Sequence, residues 1–339
     1  MNLVVNNVND GIANIIYMLN DKLMESVLEC RDSRNGATIA FTEPVIIEYK
    51  YPECCACYIP ARDANPFFHI MESLWMLAGR RDVGFLHMFN KNMVNYSDDG
   101  IVFNAAYGYR LRKHFNHDQL YNVVKLLTAD RNSRQAVALL WDPNDLLKDT
   151  KDKACNLELV FKITTDNRLN MTVFNRSNDI IYGTFGANAV HMSMIMMYVC
   201  SKLECELGKY YQVSNCLHAY TDGVEGNILN RITDELISPN QYEEYEKSSI
   251  DVSYFEGIDD DIADFFAMYD RKDCGLTIAR LLSIDYGSKF FNNLVVPMLY
   301  LYMKYKINGK AAVTDKDYEE IVPADWRKAC EVWINNRRK

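Results

Sequence analysis

The sequence predicts an α+β fold, and three observations carry the prediction. The stretch NLELVFKITTDNRLNMTVFNRS (156–177) alternates apolar and polar residues on either side of a Thr-Asp-Asn turn, which is the pattern of a β-hairpin. ATIAFTEPVIIEYKY (37–51) reads as a pair of strands around Glu43-Pro44. NAVHMSMIMMYVCSKLECEL (188–207) is apolar nearly all round, as a helix central to a core must be. Strands grouped together, with helices packed on one side, differ from the regular alternation of a parallel α/β sheet.

The remaining elements follow in order. Residues 8–30 carry helical periodicity. NPFFHIMESLWMLAG (65–79) has Pro in its first turn and Gly at its end, both helix punctuation. QAVALLWD (135–142) reads as a buried strand, and residues beyond about 223 as mostly helical with acidic patches such as DDDIAD. No repeat, low-complexity run or Pro/Gly/Ser linker divides the chain, so one domain over 1–339 is expected, with a helical extension from about 226.

A chain of 339 residues, 49% of them apolar, can bury a large core. Its formal charge of −9 argues against a general nucleic-acid or membrane-surface binder, because both need a basic field. Neither a secretory leader nor a run of about 18 apolar residues is seen, so a cytoplasmic protein is expected. Ten cysteines without regular spacing read as reduced thiols. The cluster Cys54, Cys55 and Cys57 lacks a second CxxC or an HxxxH beside it, so buried thiols are expected there and no metal.

The chemistry concentrates around one thiol. Cys155 ends the polar loop DPNDLLKDTKDKA and begins a strand. The hairpin that follows brings Arg176 back beside it. A cation next to a thiol lowers its pKa and makes a nucleophile. The plain alternative for this pair is a core cysteine and a surface arginine. Ser177 follows Arg176 and can donate to an anion. Arg134, in Ser133-Arg134, and Arg34, in the loop DSRNGAT, bring two more guanidiniums. The planar fork of Arg suits phosphate oxygens.

NRSNDIIYG with Asn188, WDPND…AC before it and LHAY (217–220) after it resembles the thymidylate synthase superfamily. The likeness runs in order over residues 30–225, from Arg34-Asn35-Gly36, through Glu72, Tyr107, Ser133-Arg134, Trp141 and Cys155, to Arg176-Ser177-x-Asp179, Gly183, Asn188 and His218-x-Tyr220. It implies a thymidylate synthase-like fold whose mixed sheets pack back to back in a homodimer. It implies that Cys155 adds to carbon 6 of a pyrimidine nucleoside monophosphate. Arg34, Arg176 and Ser177 would hold the phosphate, with Arg134 reaching the phosphate in the partner's site. Asn188 would read the base, and His218 and Tyr220 the sugar hydroxyl. Glu72 would organise water and protons, Tyr107 would lie by the carbon 5 proton, and Asp179 and Gly183 would meet the folate. The implied co-substrate is 5,10-methylenetetrahydrofolate, without a metal.

In such a reaction, thiolate addition at carbon 6 makes carbon 5 nucleophilic, and carbon 5 takes a one-carbon unit from the folate. Hydride then gives a methyl group, whereas water gives a hydroxymethyl group. Residues 87–108 contain no Trp, where the synthases carry one, and the chain ends INNRRK in place of an apolar tail that excludes water. RSNDIIYG is closer to the phage pyrimidine hydroxymethylases, so hydroxymethylation is expected, in host cytoplasm if the source is viral. Gln135 stands where the family has a second Arg. In this family Asn at the base-reading position goes with uracil and Asp with cytosine. However, GTFGAN is one residue longer than the family spacing, and an amide can present oxygen or nitrogen, so dUMP and dCMP both stay open. Two rivals remain: a synthase converting dUMP to dTMP, and a nucleotide-binding dimer without turnover. His191, Tyr182 and Phe185 are read as packing.

Overall fold

The computed structural model describes residues 1–235, 249–271 and 278–337. Among the described residues, ten strands form two sheets. In chain order they are β1 (Asn2–Val5), β2 (Leu28–Ser33), β3 (Gly36–Phe41), β4 (Val45–Tyr49), β5 (Val137–Leu139), β6 (Asn156–Ile163), β7 (Arg168–Asn175), β8 (Asn178–Asp179), β9 (Glu206–Ser214) and β10 (Leu217–Tyr220). The larger sheet runs β1-β4-β9-β7-β6-β5 and the smaller β2-β3-β10-β8. Both are mixed: β1–β4, β7–β9 and β8–β10 pair in parallel, and the other neighbours antiparallel. The α+β expectation therefore holds.

The helices are α1 (Val8–Asn20), α2 (Pro66–Leu77), α3 (Val83–His87), α4 (Tyr107–Tyr109), α5 (Gln119–Ala129), α6 (Asn188–Leu203), α7 (Gly223–Asp234), α8 (Ile258–Tyr269), α9 (Ile278–Leu281), α10 (Val296–Asn308), α11 (Asp315–Glu319) and α12 (Ala324–Asn335). Helix α6 crosses one face of the larger sheet and packs on α2, at the centre of the core. No helix among the described residues is long and apolar enough to cross a membrane.

Several boundaries differ from the sequence reading. The helix expected over 8–30 ends at Asn20, and Leu28 opens a strand, because the β-hairpin β2–β3 claims Leu28–Ser33 through pairing the periodicity cannot reveal. β3 and β4 lie in different sheets, so the chain between them is a crossover and not a hairpin. α6 ends at Leu203, where Glu204 takes a left-handed conformation (φ 50°) and turns the chain into β9. The strand expected as buried over 135–142 is only β5, at the sheet edge, with Val137 and Leu139 exposed at 41% and 45%. They belong to the bare face of the larger sheet, where Val4 and Ile46 are also exposed.

The helix starts show why the local signals worked. The Asn65 side chain accepts from Phe68 N, and Pro66, which has no N–H to leave unpaired, follows it at the start of α2. Every α2 residue except Glu72 is buried. The last helices hold α2 from outside with aromatic rings. Phe67 meets Tyr302 of α10 and Trp333 of α12 at centroid distances of 5.1 and 5.4 Å. Phe85 of α3 packs against Phe265 and Phe266 of α8. Beyond α12, Arg337 lies over Trp333 and forms an ion pair with Asp63 at 2.6 Å. The described end of the chain thus docks on the loop before α2.

Candidate active site

The thiol sits at the start of β6, and the hairpin does what its register requires. Arg176 follows β7, and its backbone N–H donates to the Cys155 carbonyl at 2.9 Å. Its guanidinium is fixed by Nε on Ala154 O at 2.8 Å and Nη2 on Lys153 O at 3.1 Å. Nη2 then lies 3.7 Å from Cys155 Sγ. The Tyr107 hydroxyl accepts from the backbone N–H of Cys155 at 3.2 Å and of Asn156 at 3.4 Å. Gly108 lets this turn approach α2, since a Cβ there would stand 2.0 Å from Met76 O.

The expected lowering of the thiol pKa does not appear. Burial pushes Cys155 above its ordinary value. Arg176 and Arg34 pull it down while Asp152 and Asp179 push it up, and the loss of hydration outweighs the cations. Burial therefore favours the thiol over the thiolate in the unliganded chain. Sequence reasoning saw the cation but could not weigh the enclosure. Tyr107 is also raised, by burial first and then by Cys155.

The phosphate candidates divide. Arg34 occupies the two-residue turn between Ser33 and Gly36, reaches Lys151 O at 3.3 Å and acts on Cys155. Arg34, Arg176 and half-buried Ser177 thus gather around one loop. Arg134 does not join them: it is exposed just before edge strand β5.

On the smaller sheet His218 pairs in register with Asp179 and is buried. Its ring stands 5.3 Å from that of Tyr220, whose hydroxyl accepts from Asn35 Nδ2 at 3.4 Å. Asp179 caps the irregular turn 180–187 by accepting from Tyr182 N. Its other oxygen is buried and unpartnered, and burial raises its pKa. The Arg62 guanidinium, 4.5 Å over the Tyr182 ring, lies close enough to moderate that rise. Arg62 is buried, and no motif marked it.

Asn188 opens α6. Its Oδ1 accepts from Asn156 Nδ2 at 3.3 Å and its Nδ2 donates to Asn178 Oδ1 at 3.1 Å. Gly183 makes room for this contact, since a Cβ there would fall 2.5 Å from Asn178 Oδ1 and 3.2 Å from Asn188 Nδ2. One turn along α6, His191 Nε2 stands 3.0 Å from Glu72 Oε2. His191 is only 4% exposed, and neither of these facing atoms makes a hydrogen bond. His191, read from the sequence as packing, is in fact the polar partner of Glu72. Two helices meeting in space, which no local pattern records, create the pair.

Cys54, Cys55 and Cys57 are buried, and burial pushes the thiols of Cys55 and Cys57 up. No metal-binding group of side chains is found among the described residues. A recess of about 510 Å³ lined by Asp63, Arg231, Asp234 and Asn336, among others, contains none of the predicted site residues.

The fold thus sets the Cys155 thiol beside the Arg176 guanidinium, with Arg34 near the same loop and Asn188 at the start of α6. The thymidylate synthase family model matches residues 22–258, and the chain belongs to the thymidylate synthase family. It is similar to the deoxyuridylate hydroxymethyltransferase of Pseudomonas phage M6, at 36% identity over 98% of this chain and 93% of that one. The deoxyuridylate hydroxymethyltransferase of Bacillus phage SP01 is 44% identical over 58% of this chain and 54% of its own length. A putative thymidylate synthase of Methanothermobacter marburgensis is 34% identical over 62% of this chain and 91% of its own. The M6 match extends through the helices beyond residue 226, where the motifs gave out.

Proposed function

We propose that this chain hydroxymethylates carbon 5 of dUMP, with 5,10-methylenetetrahydrofolate as the one-carbon donor and water as the source of the hydroxyl oxygen. The observation that carries the reading is Cys155 Sγ at 3.7 Å from Arg176, in a chain similar over nearly its whole length to a phage deoxyuridylate hydroxymethyltransferase.

Arg34, Arg176 and Ser177 would bind the phosphate, and His218 and Tyr220 the sugar. The Cys155 proton must leave before sulfur bonds to carbon 6, since burial favours the thiol over the thiolate. Arg176 then stabilises the thiolate as it forms. Tyr107, pinned by two backbone N–H groups, would lie at the carbon 5 proton. Glu72, oriented by His191, would hold and deprotonate the attacking water. The donor supplies carbon at the formaldehyde oxidation level. The residues fit such a molecule: the unpartnered Asp179 oxygen is a buried acceptor suited to an N–H of a folate ring.

The bare face of the larger sheet, with Val4, Ile46, Val137 and Leu139 exposed, supports a homodimer built through it. Arg134 at that edge would then serve the partner's phosphate. Sedimentation of wild type and of Val137→Asp should show dimer and monomer respectively.

The activity is tested by incubating the chain with methylenetetrahydrofolate and dUMP, dCMP, UMP or CMP, and weighing the products. A gain of CH2O on dUMP is expected. A gain of CH2, accompanied by dihydrofolate, would instead make the chain a methylating synthase. Binding without product would make it a nucleotide-binding dimer.

A further inference from the structure

The geometry points to a relay of amide side chains that fixes which end of Asn188 faces the base, with Gln212 as the positioning residue that sets its sense. This rests on the proposal that Asn188 reads a pyrimidine.

The relay runs through the protein with one polarity. Asn175 Nδ2 donates to Asn156 Oδ1. Asn156 Nδ2 donates to Asn188 Oδ1, and Asn188 Nδ2 to Asn178 Oδ1. Asn178 Nδ2 donates to Gln212 Oε1 at 2.8 Å and to Ser214 Oγ at 3.1 Å. Gln212 Nε2 donates to the Thr184 carbonyl at 3.2 Å. Asn156, Asn175, Asn178, Gln212 and Ser214 are all buried.

An isolated amide can turn over and exchange its donor and acceptor ends. This row cannot, because its last acceptor is a backbone carbonyl. The Thr184 oxygen can only accept, and it already takes the Tyr49 hydroxyl at 2.7 Å. Gln212 must therefore present NH2 to it and oxygen to Asn178. That choice forces the next one at Asn178, and then Asn188. Reversing Asn188 alone would set oxygen against Asn178 oxygen and NH2 against Asn156 NH2. Reversing the whole row would set Gln212 oxygen against a carbonyl. Unsatisfied buried polar groups are costly, so the sense is locked.

Locked this way, Asn188 has one N–H and one oxygen lone pair left for a ligand. Uracil offers the complement, an acceptor at O4 and a donor at N3. Cytosine offers an amino donor and an N3 acceptor, which clash at both points. Gly183 belongs to the same device, since its missing side chain leaves the Asn178–Asn188 contact open. The GTFGAN loop takes part through the Thr184 carbonyl that anchors the row and through Gly183. The buried row sets base choice.

The test measures the Kd of dUMP and dCMP by calorimetry for wild type, Gln212→Met and Asn156→Asp, with inorganic phosphate as the probe of the remaining site. Wild type is expected to favour dUMP. Gln212→Met removes the anchor, and Asn156→Asp replaces the donor facing Asn188 Oδ1 with an acceptor while leaving Thr184 and Gln212 intact. In each variant the dUMP preference should fall at least about tenfold, with phosphate affinity unchanged. A structural role alone would weaken both nucleotides equally. If the two variants keep the wild-type ratio, or if the folded one does where the other fails to fold, the relay is overturned while the dUMP reading stands. If wild type prefers dCMP or binds neither nucleotide, the dUMP reading itself falls and the relay's assigned sense with it.

Discussion

Two walls enclose α2 and α6, and they are made of different material. The wall toward β7 and β9 is a row of buried amides, each donating to the next. The wall made by α8, α10 and α12 is aromatic, with Phe265, Phe266, Tyr302 and Trp333 against Phe67 and Phe85. Apolar rings are non-directional, so they fix where α2 sits. Amides are directional, so they fix which atom of Asn188 faces outward. The comparison predicts that damage to the first wall alters selectivity and damage to the second alters stability.

The largest effect belongs to the thiol next to Asn156 of the first wall. Cys155→Ala should lower turnover by at least about three orders of magnitude and leave the melting temperature near that of wild type. Trp333→Ala, in the aromatic wall, should cost about 3–5 kcal/mol in urea unfolding, with dUMP preference unchanged in the molecules that remain folded. A changed preference there would erase the distinction between the walls.

His191→Gln should lower kcat on the order of tenfold to a hundredfold with little change in the KM for dUMP, because His191 touches Glu72 and not the nucleotide binders. A KM effect of the same size would place His191 in binding. The smallest effect concerns pH. Asp325 of α12 is buried with Ser249 Oγ at 2.6 Å, and burial raises its pKa from 3.8 to about 7. The folded chain thus favours the protonated acid. The stability this gives is complete below the unfolded value and is lost as pH rises through about 4 to about 7. Asp325→Asn should flatten the fall in melting temperature across that window.

The sequence made the two walls unequally legible. Cys155 and Arg176 were readable because a hairpin joins them, and the turn TDN is a local signal. Gln212, Thr184 and Tyr49 were not, because they lie in β9, the turn 180–187 and β4, and only the pairing of β4 with β9 and the packing of that turn bring them together. The start of β9 looked like the tail of α6 because only the left-handed Glu204 between them marks where the helix stops. The raised Cys155 pKa was hidden too, since enclosure depends on the whole packed loop. Helical periodicity announced the aromatic wall, but not the surface it covers.

The central claim is that the Cys155 sulfur bonds to carbon 6 of the bound base, and a nucleotide that cannot release its carbon 5 substituent tests it directly. With dUMP fluorinated at carbon 5 and methylenetetrahydrofolate, the covalent complex should accumulate. Mass analysis of the digested protein should then find nucleotide and folate together on the peptide containing Cys155. An unmodified Cys155 peptide after full occupancy of the site, or an adduct on any other cysteine, would contradict the account.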